Sequence, residues 1–189
     1  EDPLAPLEVI DRLEVGPVEL RKDRLTMPYR VVQAGEQAGT ELIYRFAEPV
    51  FDPGEEASRN LASLIGAQVA LNYGLFCREI VFHGPFDPVD RAFLREMAAN
   101  TAREIYVKKF LEPNPFIRGD AANLPVVRLK SYLRAQLVFP EAVDGRPGRA
   151  RRSASGDSSR GWQADRKRIA VLSSGGKDSL LSYGLLSEI

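Results

Sequence analysis

Among the 189 residues there is one cysteine, one histidine, one tryptophan and two methionines. A single thiol, Cys77, excludes an intrachain disulfide, so no disulfide framework holds the fold and a reducing compartment is the expected setting. One histidine, one cysteine and scattered carboxylates do not make a zinc ligand set. No apolar run approaches the ~18 residues that a membrane-spanning helix requires. The opening Glu1-Asp2-Pro3-Leu4 carries neither the basic nor the apolar segment of a secretory signal, so a cytoplasmic chain with no membrane partner is expected. An initiator Met is also lacking, and the chain is expected to be a piece of a longer protein. Repeats with a period of about 20–50 residues, which would signal a solenoid, are absent. An excess of charge of one sign is missing as well: Lys plus Arg and Asp plus Glu both number 26. With 44% hydrophobic and 28% charged residues, what is there has the composition of a globular protein, not of a disordered or fibrous one.

The even charge balance conceals a local excess. Arg146, Arg149, Arg151, Arg152, Arg160, Arg166, Lys167 and Arg168 are opposed only by Asp157 and Asp165, which leaves a net +6 over residues 146–168. Set among Gly, Ser and Ala, such a stretch is either a solvated linker or a nucleic-acid contact. It has no periodicity and one aromatic residue, Trp162, and the linker is the expectation.

Ahead of it, residues 17–50 read as a small antiparallel meander. Pro17 to Arg21 is a short alternating run, Lys22-Asp23 a turn, and Arg24 to Val32 and Glu41 to Phe46 are two further runs separated by a Gly35–Gly39 loop. From Glu55 the period becomes helical, with Leu61, Leu64, Ile65 and Val69 as an apolar stripe behind Pro53-Gly54. Glu79 to Phe82 is a buried-type strand closed by Gly84-Pro85. Asp87-Pro88-Val89-Asp90 then opens a second helix, with Asp87 as cap and Pro88 where its missing N–H is harmless. That helix is expected to continue along Leu94, Met97, Thr101 and Ile105 until Pro113. Val126 to Phe139 fits either helix or strand. The expected organisation is an α+β accessory or substrate domain over residues 1–140, a basic linker over 141–166, and a new unit from 167 to 189.

That last unit carries the chemistry. Arg168 to Leu172 is a short apolar strand, Ser173-Ser174-Gly175-Gly176-Lys177-Asp178-Ser179 a loop, and Leu180 to Leu186 a buried-type helix. Strand, glycine loop and helix together aim backbone N–H groups and a helix N-terminus at an anion. Gly175 and Gly176 allow close approach of the main chain, Ser174 and Ser179 add hydroxyls, and Lys177 adds a positive charge. A Walker A loop is excluded, because Val171 stands where its first glycine belongs and Asp178 follows the Lys.

The string Ser174-Gly175-Gly176-Lys177-Asp178-Ser179 closely resembles the Ser-Gly-Gly-x-Asp-Ser pyrophosphate loop of the N-type ATP pyrophosphatases, the adenine nucleotide alpha hydrolase or PP-loop superfamily. The resemblance implies that 167–189 is the truncated start, the first βα unit, of a doubly wound α/β ATP-binding domain. It also implies ATP and Mg²⁺ as ligand and cofactor, with Ser174, Gly175, Gly176, Lys177, Asp178 and Ser179 around the phosphates. Asp178 would orient the loop or approach the metal, and Asp178 and Lys177 are the residues it marks as catalytic. In such enzymes a substrate oxygen attacks the α-phosphorus, giving an adenylylated substrate and pyrophosphate. By itself the chain is expected to hold too little of that domain to turn over ATP.

The order of elements is similar to that of the muropeptide glutamate epimerase family, which adenylylates the terminal glutamate of UDP-N-acetylmuramoyl-L-alanyl-L-glutamate and inverts its α-carbon. In that family further glycine precedes the loop, where this chain has Ser173-Ser174. A small-molecule or peptide-like carboxylate is thus the expected acceptor. Deazaguanine-nitrile synthesis, diphthamide amidation and tRNA thiolation remain alternatives within the superfamily. A non-catalytic nucleic-acid-binding module using residues 146–168 is the alternative outside it. His83 is expected as a strand-end hydrogen-bonding residue with general base as the sharper alternative, Cys77 as a small buried hydrophobe, and Tyr73 and Tyr106 as core aromatics.

Overall fold

The computed structural model describes residues 2–112 and 114–140. They build one six-stranded mixed sheet and two α-helices. The strands are β1 (Ile10–Val15), β2 (Glu19–Arg21), β3 (Arg24–Gln33), β4 (Glu36–Arg45), β5 (Cys77–Phe82) and β6 (Gln136–Val138). The helices are α1 (Glu56–Ala67) and α2 (Pro88–Ile105). A 3-10 stretch, Gln68–Tyr73, follows α1, and one π-helical turn, Tyr106–Phe110, follows α2.

β1 is central. It pairs antiparallel with β3 (Leu13 opposite Val31) and parallel with β5 (Leu13 opposite Ile80), and β5 pairs parallel with β6. β3 also pairs with β2 and, along its whole length, with β4. The expected meander is therefore only half of the sheet. The other half is parallel, and the helices lie in its crossovers, as parallel pairing requires.

The β3–β4 connection is a two-residue turn, Ala34-Gly35, not a Gly35–Gly39 loop. Both residues have positive φ (50° and 84°), the twist that lets two strands reverse at once. Gly39 lies in β4, paired with Arg30. Lys22-Asp23 does form the β2–β3 turn.

Leu13, Val15, Met27, Tyr29, Ile80 and Phe82 point to the helical side and form the main core with Leu71, Phe86, Leu94 and Ala98. Each large side chain buried in this way contributes roughly 1.5–3 kcal/mol. The opposite face is charged: Arg12 pairs with Glu79 at 2.5 Å and Arg30 with Glu14 at 3.0 Å, across neighbouring strands. The sheet thus has one dry and one wet face.

α1 buries small residues, Ser58, Ala62, Ser63, Gly66 and Ala67, while the expected stripe Leu61, Leu64 and Ile65 lies half-buried on its flanks. The reason is close approach to β3: a Cβ on Gly66 would fall 2.4 Å from the Met27 terminal methyl carbon. On α2 the buried line is Leu94, Ala98 and Ala102, continuing to Tyr106, and Met97 is exposed. Asp87 caps α2 as expected: its carboxylate accepts from the Val89 and Asp90 N–H groups while Asp90 accepts from the Asp87 N–H. Of Val126 to Phe139, Gln136–Val138 is strand and the rest is irregular.

Candidate functional site

The pyrophosphate-loop residues Ser174, Gly175, Gly176, Lys177, Asp178 and Ser179 lie outside the described residues, as does the basic stretch from Arg146 to Arg168. Among the described residues a depression of about 730 Å³ opens on the charged face of the sheet where β1 and β5 end. Parallel neighbours whose onward connections diverge leave a crevice at their carboxyl ends, and ligands of open sheets occupy such crevices. After β1 the chain turns away to β2 and β3; after β5 it crosses through α2 to β6, on the other side.

The register brings Glu14, Arg30 and Glu41 to this place from three strands. Glu14 lies opposite Arg30, and Glu41 opposite Pro28, two positions from Arg30 and on the same face. His83, the first residue after β5, and Thr40 also border the depression. The floor is backbone. Gly16 adopts φ +89°, and a Cβ there would lie 2.5 Å from the His83 carbonyl oxygen, so only glycine lets the two strand ends come this close. The His83 N–H donates to the Val15 carbonyl at 2.9 Å and the Gly16 N–H to that of Pro28 at 2.9 Å, which fixes the strand ends to each other.

Glu14 is neutralised by Arg30 at 3.0 Å and by Arg12 at 3.9 Å, and its side chain is only 24% exposed. Glu41 is exposed and enters none of the ion pairs among the described residues. Two carboxylates and a guanidinium around one concavity can orient a polar ligand. Among the described residues no group of three His, Cys, Asp or Glu side chains is placed to hold a metal ion.

Cys77 is fully buried and burial pushes its thiol pKa up to about 12, so it is an inert core residue, as expected. Tyr106 is fully buried and Tyr73 half-buried, both within the core clusters. Behind the depression Asn60 donates to Asp90 at 2.6 Å and to the Pro85 carbonyl at 2.9 Å, which ties α1 to the loop entering α2. The N-terminus of α2 is already satisfied by the Asp87 carboxylate, so it offers no anion site. Glu14, Arg30 and Glu41 escape sequence reasoning, because only strand register unites them; the alternation around Glu41 was the one local signal.

Among the described residues no helix is long and apolar enough to cross a membrane. No family model, no curated protein and no solved structure matches the chain.

Proposed function

We propose that the chain is the N-terminal part of an ATP-dependent adenylylating enzyme that cleaves ATP to AMP and pyrophosphate to activate a carboxyl or carbonyl group. The observation that supports this reading is the unbroken string Ser174-Gly175-Gly176-Lys177-Asp178-Ser179 between an apolar strand-like and an apolar helix-like segment. Its donors suit a triphosphate chemically: main-chain N–H groups at the glycines, two hydroxyls, an ammonium, and a carboxylate able to face a hard cation. Bound Mg²⁺ would neutralise phosphate charge. Ser174, Ser179 and the glycine N–H groups would hold the leaving pyrophosphate while a substrate carboxylate oxygen forms a bond to the α-phosphorus and the bond from that phosphorus to the pyrophosphate oxygen breaks. Lys177 would add charge at the same oxygens and Asp178 would orient the loop.

The acceptor we favour is a peptide-like carboxylate of the muropeptide type. The N-terminal unit supports this reading by offering an open, polar, strand-end depression, not a long cationic track. Assay of the protein encoded by the uninterrupted reading frame tests it. Mg²⁺-dependent release of AMP and pyrophosphate with UDP-N-acetylmuramoyl-L-alanyl-L-glutamate is expected, falling at least 100-fold in Ser174→Ala/Asp178→Asn. Absence of AMP with that substrate, other carboxylates, amides and tRNA would sink the proposal.

A second reading, nucleic-acid binding through residues 146–168, rests on their net +6 charge. It requires RNA affinity that falls steeply with salt, and salt-insensitive or absent binding ends it.

A further inference from the structure

On the far side of α2 from its capped end, a groove of about 440 Å³ is lined by Asn100 and Arg103 of the helix and by Arg128, Lys130, Ser131 and Tyr132 of the irregular segment before β6. Three of these side chains are cations, three are neutral hydrogen-bonding groups, and among the described residues no carboxylate lines the groove. Arg103, Arg128 and Lys130 enter none of the ion pairs among the described residues, although Arg12, Arg30, Arg78, Lys108 and Arg134 each hold a carboxylate. Glu104, the acid next to Arg103 in the chain, is held by Lys108 at 2.6 Å.

The backbone that presents the cations is fixed. Tyr106 and Tyr132 stack with ring centroids 4.6 Å apart. The Tyr106 hydroxyl donates to the Pro125 carbonyl at 2.7 Å and accepts from the Val127 N–H at 3.2 Å. The Tyr132 hydroxyl donates to the Val127 carbonyl at 2.8 Å and accepts from the Leu129 N–H at 3.3 Å. Four hydrogen bonds from two buried phenols thus position residues 125–129 without a helix or strand, and Arg103, in the last turn of α2, lies three residues before Tyr106. Without a ligand, gathering three like charges in one groove is unfavourable. Guanidiniums and an ammonium beside Asn and Ser are the chemistry that recognises phosphoryl oxygens.

We propose that the Arg103–Arg128–Lys130 groove binds the phosphoryl group of a compact phosphate-bearing molecule. A nucleic-acid strand fits less well. The groove is short, and its one aromatic, Tyr132, is buried against Tyr106 and cannot serve as a stacking platform for bases. The site lies wholly within residues 99–132, so it stands whether or not residues 174–179 bind ATP.

The test is a titration of the isotope-labelled 189-residue chain with inorganic pyrophosphate, read from individual amide signals. Saturable shifts at Lys130, Ser131 and the Arg103 Nε–H are expected, with affinity at least tenfold weaker in Arg128→Ala/Lys130→Ala. All three cations are exposed, so that variant should keep its thermal midpoint within about 2 °C. Shifts confined to residues 174–179 would assign the binding to the loop and overturn the groove. No shifts at Lys130 and Ser131 would overturn it too. Displacement of pyrophosphate from the groove by an unstructured RNA at a hundredfold lower concentration would give the site to nucleic acid and overturn the compact-ligand assignment.

Discussion

Gly16 sits against His83 with no room for even a methyl group between them: a Cβ at Gly16 would lie 2.5 Å from the His83 carbonyl oxygen. The two residues directly follow β1 and β5, the adjacent parallel strands whose connections part, and their contact is the floor of the depression lined by Glu14, Arg30 and Glu41. Gly16→Ala should therefore cost both strain at φ +89° and a backbone clash, together about 2–4 kcal/mol. Gly35→Ala is the control. It also has positive φ (+84°) but faces open space, and should cost only about 1 kcal/mol. Urea unfolding of both variants measures the difference, and equal losses would show that the close approach at Gly16 does not constrain the strand ends.

Tyr29 joins the sheet to α1. Its hydroxyl donates to the Gly66 carbonyl at 2.6 Å from a side chain that is 6% exposed. Tyr29→Phe keeps the ring and leaves that carbonyl one partner short, for an expected loss of about 1 kcal/mol. The urea midpoint should fall with an unchanged slope, because the surface exposed on unfolding hardly changes. A variant as stable as the parent would mean that the bond merely replaces one to water.

The reciprocal cap of α2 separates two energies. Asp87 is exposed, so Asp87→Ala should remove a cap for about 1 kcal/mol. Asp90 is 9% exposed and also accepts from Asn60 at 2.6 Å. Asp90→Ala removes one of that amide's two acceptors and leaves the Asp87 N–H without its partner, and should cost about 2–3 kcal/mol. A double-mutant cycle of Asn60→Ala with Asp90→Ala measures the coupling, and additivity would place the two groups outside one network.

What was legible in the sequence is what is local. Asp87-Pro88-Val89-Asp90 announces a helix start because a cap is made by neighbours in the chain, and Lys22-Asp23 announces a turn for the same reason. Ser174 to Ser179 is readable as a motif on the same ground. β1 is not legible: Ile10-Asp11-Arg12-Leu13-Glu14-Val15 breaks alternation, and its charges are acceptable only because Glu79, 67 residues from Arg12, and Arg30 meet them across strands. The buried face of α1 misleads for another reason. Hydrophobicity marks Leu61, Leu64 and Ile65, but nearness to Met27 selects Ala62, Gly66 and Ala67. Glu14, Arg30 and Glu41 become a site only through register, and Arg103, Arg128 and Lys130 only through the Tyr106–Tyr132 stack.

Cys77 is expected to make the fold sensitive to alkali. Its thiol is fully buried beside Ile80 and Leu13 in the main core, and burial raises its pKa to about 12. A folded value above the unfolded one means that this group's contribution is complete below the ordinary thiol value near ~8.5 and is lost as pH rises toward about 12. Stability should therefore decline above pH ~8.5 by up to about 1.4 kcal/mol per pH unit. Above pH ~10 Tyr29, whose pKa burial also raises, steepens the decline. Cys77→Ala should start lower at pH 7, by about 1 kcal/mol for the lost packing, and stay flat to pH ~10. Urea midpoints at pH 7, 8.5 and 9.5 decide the matter: parent and variant falling in parallel would trace the alkaline loss to other groups. Reaction of the native thiol with Ellman's reagent at pH 8 provides a second readout. It should run at least 100-fold slower than after unfolding, because the thiolate is both scarce and out of reach.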